Sequence, residues 1–485
     1  MNKPIRALAI GCLVLFALLL VNVNYVQVFR ASDLNSDASN KRARDAECAR
    51  ERGPILVDGD PVARSIPSND SLKYLRKYSH PLLYAPVTGF FSCVFGASGV
   101  ESSQNSILAG SDEELFVNRM IDLVGNDKPQ GGSALLTLSS AAQQAAFDGL
   151  KALPGNTKGA VVALNPSTGA ILAMVSTPSY DPNRLSTHDI EAAKLSYEGL
   201  TTGTAKQLLN RSTQEIYPPG STFKLVVAAA ALSNGYSPDT LVKGGYGLDL
   251  PLSNSVLHNE NGGNCGGDEI TLTQALVVSC NVSFADLGLK LGAATLQDQA
   301  EQFGFNEDYL DELPFAPSTF PAEIDAPQTA LSSIGQFEVA ATPLQMAMVA
   351  AGIANDGAVM KPYVVQEVRS PGLEVLHESD PETLHQALSA SAAADLTQMM
   401  VEVVQTGTGV PAQIPGIQVA AKTGTANTSK ERSPYAWIVS FAPADNPQVA
   451  VAVFIEETGV KRENITGGGL AGPIAVEVMK AVINR

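Results

Sequence analysis

The first thirty residues contain a long apolar run. Residues 7–29 carry no charge and are dense in Leu, Val and Ala, with Lys3 and Arg6 before them and Arg30 after them. A helix of this length spans a bilayer, and basic residues before it hold a short N-terminus in the cytoplasm. We predict an uncleaved transmembrane anchor over residues 1–29, with the rest of the chain outside the cytoplasm. A cleaved secretory signal is the alternative.

The next hundred residues alternate short apolar runs with turn residues. In ILVDGDPVARS, Asp58-Gly59 separates two strand-like runs, which predicts a hairpin. A mixed-charge, helix-friendly segment over residues 31–52 indicates a stalk or helix near the membrane, and a polar, glycine-rich break over residues 126–133 closes this part. We therefore predict a mixed pedestal domain over residues 30–134.

Longer periodic segments follow. An amphipathic helical pattern comes first, and GAVVALNPSTGAILAMVST then predicts a second hairpin. Ala- and Leu-rich segments between residues 208 and 351 predict buried helices that end at Gly or Asn. VAAKTGTA, AWIVSFAP and QVAVAVFIEE predict three strands before a last helix. This order predicts an α+β domain over residues 135–485, with a helical cluster beside an antiparallel sheet.

Composition narrows the possible chemistry. A net charge of -17 disfavours nucleic acid as a partner, and 45% hydrophobic residues are enough to bury large cores. The five cysteines form no C-x-x-C pair, and H-E-x-x-H, the P-loop motif and G-x-G-x-x-G after a strand are all absent from the sequence. Metalloprotease, nucleotide-binding and thioredoxin functions therefore lack support.

Ser221 and Lys224 lie where a helix is expected to begin. Pro218, Pro219 and Gly220 bar a helix before the serine, and the Ala-rich run after it favours one. Positions i and i+3 share a helix face, so the Lys224 amine can approach the Ser221 hydroxyl. Burial among apolar neighbours lowers a lysine pKa, which makes Lys224 a candidate base. Serine is also a favoured N-cap, so this pair alone is a weak signal.

Two further motifs strengthen the signal. They are a Ser-x-Asn motif and a Lys-Thr-Gly motif, formed by Ser279-Cys280-Asn281 and Lys422-Thr423-Gly424-Thr425. Lys-Thr-Gly occurs once in the chain and lies in a strand pattern. No histidine belongs to these motifs and G-x-S-x-G is absent, which disfavours a Ser-His-Asp hydrolase.

Together the motifs resemble a known family. YPPGSTFK, SCN, KTGTA and the strand pair before them look like the transpeptidase domain of class B penicillin-binding proteins, most of all those of actinobacteria. The likeness covers nearly the whole chain, although Val57 stands where family members usually carry Arg before Asn-Gly or Asp-Gly. The resemblance implies a penicilloyl-serine transferase fold, like that of serine β-lactamases, with a five-stranded antiparallel sheet, a pedestal and one transmembrane helix.

The resemblance also implies an activity and a role for each residue. The expected enzyme is a D,D-transpeptidase that cross-links peptidoglycan stem peptides through a serine acyl-enzyme, in cell division or growth, and that β-lactams acylate. Ser221 is then the nucleophile, Lys224 its base and Ser279 a proton relay. Lys422 adjusts the electrostatic field around these groups. The expected substrate-binding residues are Asn281, Thr423, Gly424 and Thr425, and the backbone N–H groups of Ser221 and Thr425 form the oxyanion hole.

Neither a cofactor nor a metal is implied. The expected partners are stem peptides that supply a D-Ala-D-Ala donor and an acceptor amine, β-lactam antibiotics, the membrane, a glycosyltransferase, and division or elongation proteins.

The sequence leaves several alternatives open. The same machinery serves a D,D-carboxypeptidase or a serine β-lactamase, and a non-catalytic β-lactam sensor or division scaffold is a second class. The acceptor amine, diaminopimelate or lysine, and septal or lateral use stay open as well.

A disulfide between Cys265 and Cys280 is a separate hypothesis. Cys280 is the middle residue of the Ser-x-Asn motif, and both cysteines lie on the oxidising side of the membrane. The bond would restrict the segment beside the motif. Cys48 and Cys93 could pair likewise, but nothing local argues for it.

Overall fold

The computed structural model describes residues 3–30, 47–112, 130–426 and 432–484. Residues 31–46 of the predicted stalk and residues 126–129 of the predicted break lie outside the described residues. The helices are α1 (Lys3–Phe29), α2 (Pro81–Thr88), α3 (Val100–Ser103), α4 (Asn105–Leu108), α5 (Ser140–Lys151), α6 (Asn183–Ser186), α7 (Ile190–Thr202), α8 (Lys224–Ser233), α9 (Leu272–Val277), α10 (Asn281–Leu291), α11 (Ala293–Gln302), α12 (Ala326–Ser332), α13 (Pro343–Ala354), α14 (Ala390–Thr406) and α15 (Gly472–Ile483).

The strands are β1 (Ile55–Val57), β2 (Asp60–Pro67), β3 (Tyr74–Tyr78), β4 (Phe91–Ser92), β5 (Gly96–Ala97), β6 (Ser133–Leu136), β7 (Lys158–Leu164), β8 (Ile171–Thr177), β9 (Leu241–Lys243), β10 (Gly247–Asp249), β11 (Val256–His258), β12 (Glu269–Thr271), β13 (Ala358–Met360), β14 (Val365–Arg369), β15 (Val375–Glu378), β16 (Thr383–Gln386), β17 (Ala420–Ala426), β18 (Tyr435–Ala442) and β19 (Val449–Glu457). Short 3₁₀ turns lie at Gly220–Phe223, Glu260–Gly262, Val410–Ala412 and Arg462–Asn464, and a π-helical turn at Gly467–Ala471.

A five-stranded antiparallel sheet forms the centre of the C-terminal part. Its order is β17-β18-β19-β7-β8, and β7 and β8 form the predicted hairpin. Helices α5 and α15 cover one face, and α13 covers the other. Neighbouring strand residues therefore enter different cores: Val161 packs on the α5 side and Val162 on the side of the helical cluster. Burial on both faces explains why these strands are continuous apolar runs, and the predicted α+β class is confirmed.

The helical cluster beyond α13 holds the first candidate motif. Helices α8, α9, α10, α11 and α14 pack together there. Helix α8 is buried from Lys224 to Ala231, so it forms the middle of the cluster. The Lys224 side chain at its first residue consequently lies inside protein rather than in water, as the apolar neighbours in the sequence predict.

The pedestal is built around a second sheet, with strands from two distant parts of the chain. Its order is β15-β14-β6-β1-β2-β3, and β1 and β2 form the predicted hairpin, with positive φ at Asp58 (50°) and Gly59 (87°). Strands β14 and β15 come from the expected C-terminal domain, and β14 pairs with β6. The sheet therefore ties both parts together, and the boundary between residues 134 and 135 stays a prediction.

A buried carboxylate organises the pedestal core. Glu101 accepts hydrogen bonds from Arg52 Nη2 at 2.9 Å, Arg76 Nε at 2.6 Å and the Tyr78 hydroxyl at 3.0 Å. Burial raises the pKa of Glu101, but the guanidinium groups of Arg76 and Arg52 outweigh it, so the pKa lies below its usual value. Nearby, Cys48 and Cys93 form a disulfide with an S–S distance of 2.15 Å.

The first helix is apolar and unburied. Within the described residues, one helix is long and apolar enough to cross a membrane: Lys3–Gln27, with a mean hydropathy of 2.5 and none of it buried in the protein. This finding is consistent with the predicted anchor.

Candidate active site

Close backbone packing fixes the turn that presents Ser221. The Gly220 amide donates to the Gly335 carbonyl at 3.0 Å, and a Cβ on Gly335 would lie 2.1 Å from the Gly220 oxygen. Both glycines have positive φ, 53° and 70°, which favours residues without a side chain. Just before the turn, Trp437 Nε1 donates to the Pro218 carbonyl at 3.1 Å. Trp437 is thus a buried packing residue of strand β18.

Strand β17 lies directly against this turn at the edge of the sheet. A Cβ on Gly424 would approach the Pro219 carbonyl and the Thr222 side chain to 3.0 Å each. On its other side, a Cβ on Gly467 would lie 2.5 Å from the Gly424 oxygen. The glycine of the Lys-Thr-Gly motif therefore permits close contact between the strand edge and the serine turn.

The Ser-x-Asn motif lies at a break between two helices. The buried helices predicted for this region are two here: α9 ends at Val277 and α10 begins at Asn281. Between them Ser279 has φ 58°, in the left-handed region. This conformation turns the serine out of the helix path. It is uncommon for a residue other than glycine, and such backbone is frequent at functional sites.

Lys224 is held by two hydrogen-bond acceptors from the motif. Its Nζ donates to the Ser279 carbonyl at 2.7 Å and to Asn281 Oδ1 at 2.7 Å. The Ser279 hydroxyl lies 3.3 Å from the same amine. Among the described residues Ser221 Oγ makes no hydrogen bond, so the structure shows no direct bond between Ser221 and Lys224.

Ser279 bridges the two lysines. Lys422 Nζ donates to Ser279 Oγ at 2.8 Å and to its own neighbour's carbonyl, at Thr423, at 2.9 Å. A hydroxyl has one proton to donate and two lone pairs. Ser279 Oγ therefore lies within hydrogen-bond distance of both lysine amines, which connects the lysines through a single oxygen.

Burial lowers the pKa of both lysines. For Lys224 burial is the largest cause and the nearby Lys422 charge the second, and together they hold its pKa well below the usual value. Burial lowers the pKa of Lys422 to about 7, against the opposing charge of Glu260. The lowered pKa favours the uncharged amine of Lys224, which is the form that can accept a proton. Lys422, with a pKa of about 7, is partly protonated at neutral pH.

A pH dependence of stability follows from Lys422. Its pKa is about 7 in the fold and about 10.4 in an unfolded chain. Unfolding below pH 10 thus takes up a proton, and stability falls as the pH drops towards 7. The free energy of unfolding should rise by about 2 kcal/mol more between pH 7 and pH 9 in the wild type than in Lys422→Met. Urea unfolding of both proteins at the two pH values measures this; an equal rise in both would contradict it.

The motifs surround a cleft of about 220 Å³. Its lining residues are Ser221, Leu257, His258, Asn259, Glu260, Asn281, Leu331, Ile334, Gln336 and Thr425. Of the expected carboxylate-binding pair, Thr425 lines the cleft, whereas the Thr423 hydroxyl bonds the Thr408 hydroxyl at 2.6 Å. The cleft therefore brings together the serine, the asparagine and the strand edge, with both lysines buried beneath.

A disulfide and four hydrogen bonds hold the loop after β11. The sulfur atoms of Cys265 and Cys280 lie 2.11 Å apart, in a disulfide. Asn259 Oδ1 accepts from the Val282 amide at 3.0 Å, and Asn259 Nδ2 donates to two loop carbonyls at 2.7 Å. Asn281 Nδ2 donates to the His258 carbonyl at 3.2 Å. The loop is thus fastened to the Ser-x-Asn segment.

The sequence placed residues 259–267 beside the motif through the possible disulfide, but it gave no role to the wall formed by residues 257–260. No motif covers this segment, and the loop stands out in the sequence only by its Asn and Gly content. Its place beside Ser221 results from tertiary contacts with α10. Gln336, which belongs to none of the three motifs, also lines the cleft.

Family models match the chain in two places. The penicillin binding protein transpeptidase domain matches residues 159–480, and the penicillin binding protein A dimerisation domain matches residues 52–134. Peptidoglycan D,D-transpeptidase PbpA of Mycolicibacterium smegmatis is 42% identical over 100% of both chains. The protein of the same name from Mycobacterium tuberculosis is 40% identical, over 100% of this chain and 99% of its own.

Solved structures agree with these matches. The ceftriaxone acyl-enzyme complex of penicillin-binding protein A from M. tuberculosis superposes with a TM-score of 0.87 at 40% identity, covering 90% of this chain and 100% of that one. The penicillin G acyl-enzyme complex gives 0.85 with the same identity and coverage. The resemblance to penicillin-binding proteins noted in the sequence is confirmed.

Proposed function

The chain belongs to the penicillin-binding protein transpeptidase family, and we propose that Ser221 is the nucleophile with which this peptidoglycan D,D-transpeptidase forms its acyl-enzyme. The observation that carries the proposal is the Ser279 bridge between two buried lysines, at the start of the Ser221 helix. A base, a proton relay and a proton source thereby lie within one hydrogen-bonded group beside the serine.

Lys224 is the general base of the acylation step. As an uncharged amine it has two N–H groups and one lone pair, and the Ser279 carbonyl and Asn281 Oδ1 occupy both N–H groups. The lone pair is thus left for a hydroxyl proton. Ser221 Oγ attacks the carbonyl carbon of the penultimate D-Ala, and its proton passes to Lys224.

Collapse of the tetrahedral intermediate breaks the peptide bond to the last D-Ala. The departing amine needs a proton, which Lys224 returns through the Ser279 hydroxyl. Lys422 donates to the same hydroxyl and supports the transfer electrostatically. The acyl group stays on Ser221 as an ester, and free D-Ala leaves.

The second half of the reaction transfers the acyl group to an acceptor amine. The amine attacks the ester carbonyl, the bond to Ser221 Oγ breaks, and the amine's proton returns to that oxygen through Lys224. The backbone N–H groups of Ser221 and Thr425 are proposed to stabilise the oxyanion in both halves. Asn281 is proposed to bind the donor backbone, and Thr425, with Thr423 and Gly424, its carboxylate.

Adduct lifetime separates this function from β-lactamase or scaffold functions. The full chain in detergent is mixed with benzylpenicillin and its intact mass is followed over time. One adduct that persists for minutes or longer is expected, because the enzyme is built to pass its acyl group to an amine rather than to water. Rapid return to the free mass with drug hydrolysis would indicate a β-lactamase, and no adduct would indicate a scaffold.

We also propose a topology and a role for the pedestal. The apolar helix Lys3–Gln27 anchors the chain, and Lys3 and Arg6 keep the N-terminus cytoplasmic. The pedestal and the active site then lie outside, where peptidoglycan is assembled. A partner glycosyltransferase and division or elongation proteins are proposed to contact the pedestal.

A further inference from the structure

One charged side chain in the cleft has no part in the mechanism above. Glu260 is the only carboxylate among the cleft-lining residues. It is exposed, and it makes no ion pair or hydrogen bond with any other residue that the structure describes. Its charge acts on the buried Lys224 and Lys422 and opposes the lowering of their pKa values by burial.

The backbone holds Glu260 on a definite wall of the cleft. The residues on its N-terminal side, His258 and Asn259, are hydrogen-bonded to Asn281 and Val282 at the start of α10. The disulfide between Cys265 and Cys280 closes the same loop. The carboxylate therefore belongs to the Ser-x-Asn wall, whereas Thr425 belongs to the sheet edge.

This placement separates a negative wall from the proposed donor carboxylate site. The donor's terminal carboxylate is assigned to Thr425, and Ser221 lies in the same cleft. A second substrate that approaches Ser221 along the Ser-x-Asn wall meets Glu260. The acceptor is an amine, which is an ammonium ion in water near neutral pH.

We propose that the Glu260 carboxylate binds the ammonium group of the acceptor and selects acceptors that carry no free carboxylate beside that amine. The inference rests on the proposed transpeptidase function. A bound ammonium releases one proton to solvent before attack, and the second passes through Lys224 to Ser221 Oγ. A lysine-type amine, or diaminopimelate with its neighbouring carboxyl amidated, is then preferred over free diaminopimelate, because Glu260 repels a second carboxylate.

Matched acceptors test this selectivity. The full chain in detergent is acylated with a thioester analogue of the donor, and D-alanine or D-alaninamide competes with water for the acyl group. These acceptors differ in the charge beside the amine. Aminolysis and hydrolysis both start from the acyl-enzyme, so the ratio of their products does not depend on the rate of acylation. The two amines also differ in basicity, but this difference is the same for every protein. It cancels when the preference of each variant for D-alaninamide over D-alanine is divided by that of the wild type.

Glu260→Gln should lower the preference for D-alaninamide over D-alanine about five- to tenfold, the size expected for one partly screened charge pair. Glu260→Asp should retain most of the preference. Glu269→Gln on β12 makes the same charge change away from the cleft lining and should leave the preference unchanged. Hydroxylamine, a largely neutral nucleophile, should react equally with all four proteins.

Two results would overturn the inference in distinguishable ways. An unchanged preference in Glu260→Gln, with normal aminolysis, overturns the role of Glu260 and leaves the transpeptidase function intact. Hydrolysis without aminolysis by any acceptor in the wild type overturns the transpeptidase function and this inference with it.

Discussion

Ser221→Ala should abolish covalent labelling by benzylpenicillin. The variant removes the only atom that the mechanism uses to attack the β-lactam carbonyl, and it leaves the turn between Gly220 and Thr222 in place. When a nucleophile and its base act together, removal of the nucleophile lowers the acylation rate by about 10³-fold or more. Intact mass after incubation with drug measures the result for the full chain.

Ser440→Ala is the matched control. The Ser440 hydroxyl is buried on β18 and has no hydrogen-bond partner among the described residues. Its removal should leave labelling within about twofold of the wild type. A full adduct on Ser221→Ala, mapped to another residue, would refute the assignment of the nucleophile.

Lys224→Met should lower the acylation rate about 10³-fold, within the range that general-base catalysis contributes. Methionine fills a similar buried volume, so the fold should survive the change. The rate of adduct formation at several drug concentrations separates the acylation constant from the initial binding constant. The loss should fall on the acylation constant.

Lys224→Arg tests whether the base or the positive charge matters. A guanidinium stays protonated at any accessible pH, so it cannot accept the Ser221 proton. Acylation of Lys224→Arg should therefore be as slow as acylation of Lys224→Met. Lys290→Met, on an exposed lysine of α10, should acylate like the wild type. Wild-type acylation in Lys224→Arg would show that a charge suffices and that the base lies elsewhere.

The sequence predicted the turn and the helix around Ser221 better than the hydrogen bonds of Lys224. The proline and glycine residues before Ser221 and the Ala-rich run after it determine a turn followed by a helix, and the structure has both. The predicted approach of Lys224 to Ser221 rests on helix spacing alone. In the structure the Lys224 amine bonds the Ser-x-Asn segment instead, because the break at Ser279 brings two acceptors to it.

Non-local contacts account for what the sequence did not predict. The segment around Ser279 has no glycine or proline to indicate a break, so only its tertiary neighbours determine the left-handed conformation. Strand β14 pairs with β6 across more than two hundred residues, and such pairing has no local signature. The disulfide between Cys48 and Cys93 is unpredictable for the same reason.

The fate of the acyl group tests the central claim most directly. The full chain in detergent is incubated with a stem pentapeptide ending in D-Ala-D-Ala and an amine-bearing stem peptide as acceptor, and the products are weighed by mass spectrometry. We predict a cross-linked product whose mass is the sum of both peptides less one D-Ala, formed by the wild type and not by Ser221→Ala. A donor shortened by one D-Ala, with no cross-linked product, would contradict the account and indicate a carboxypeptidase.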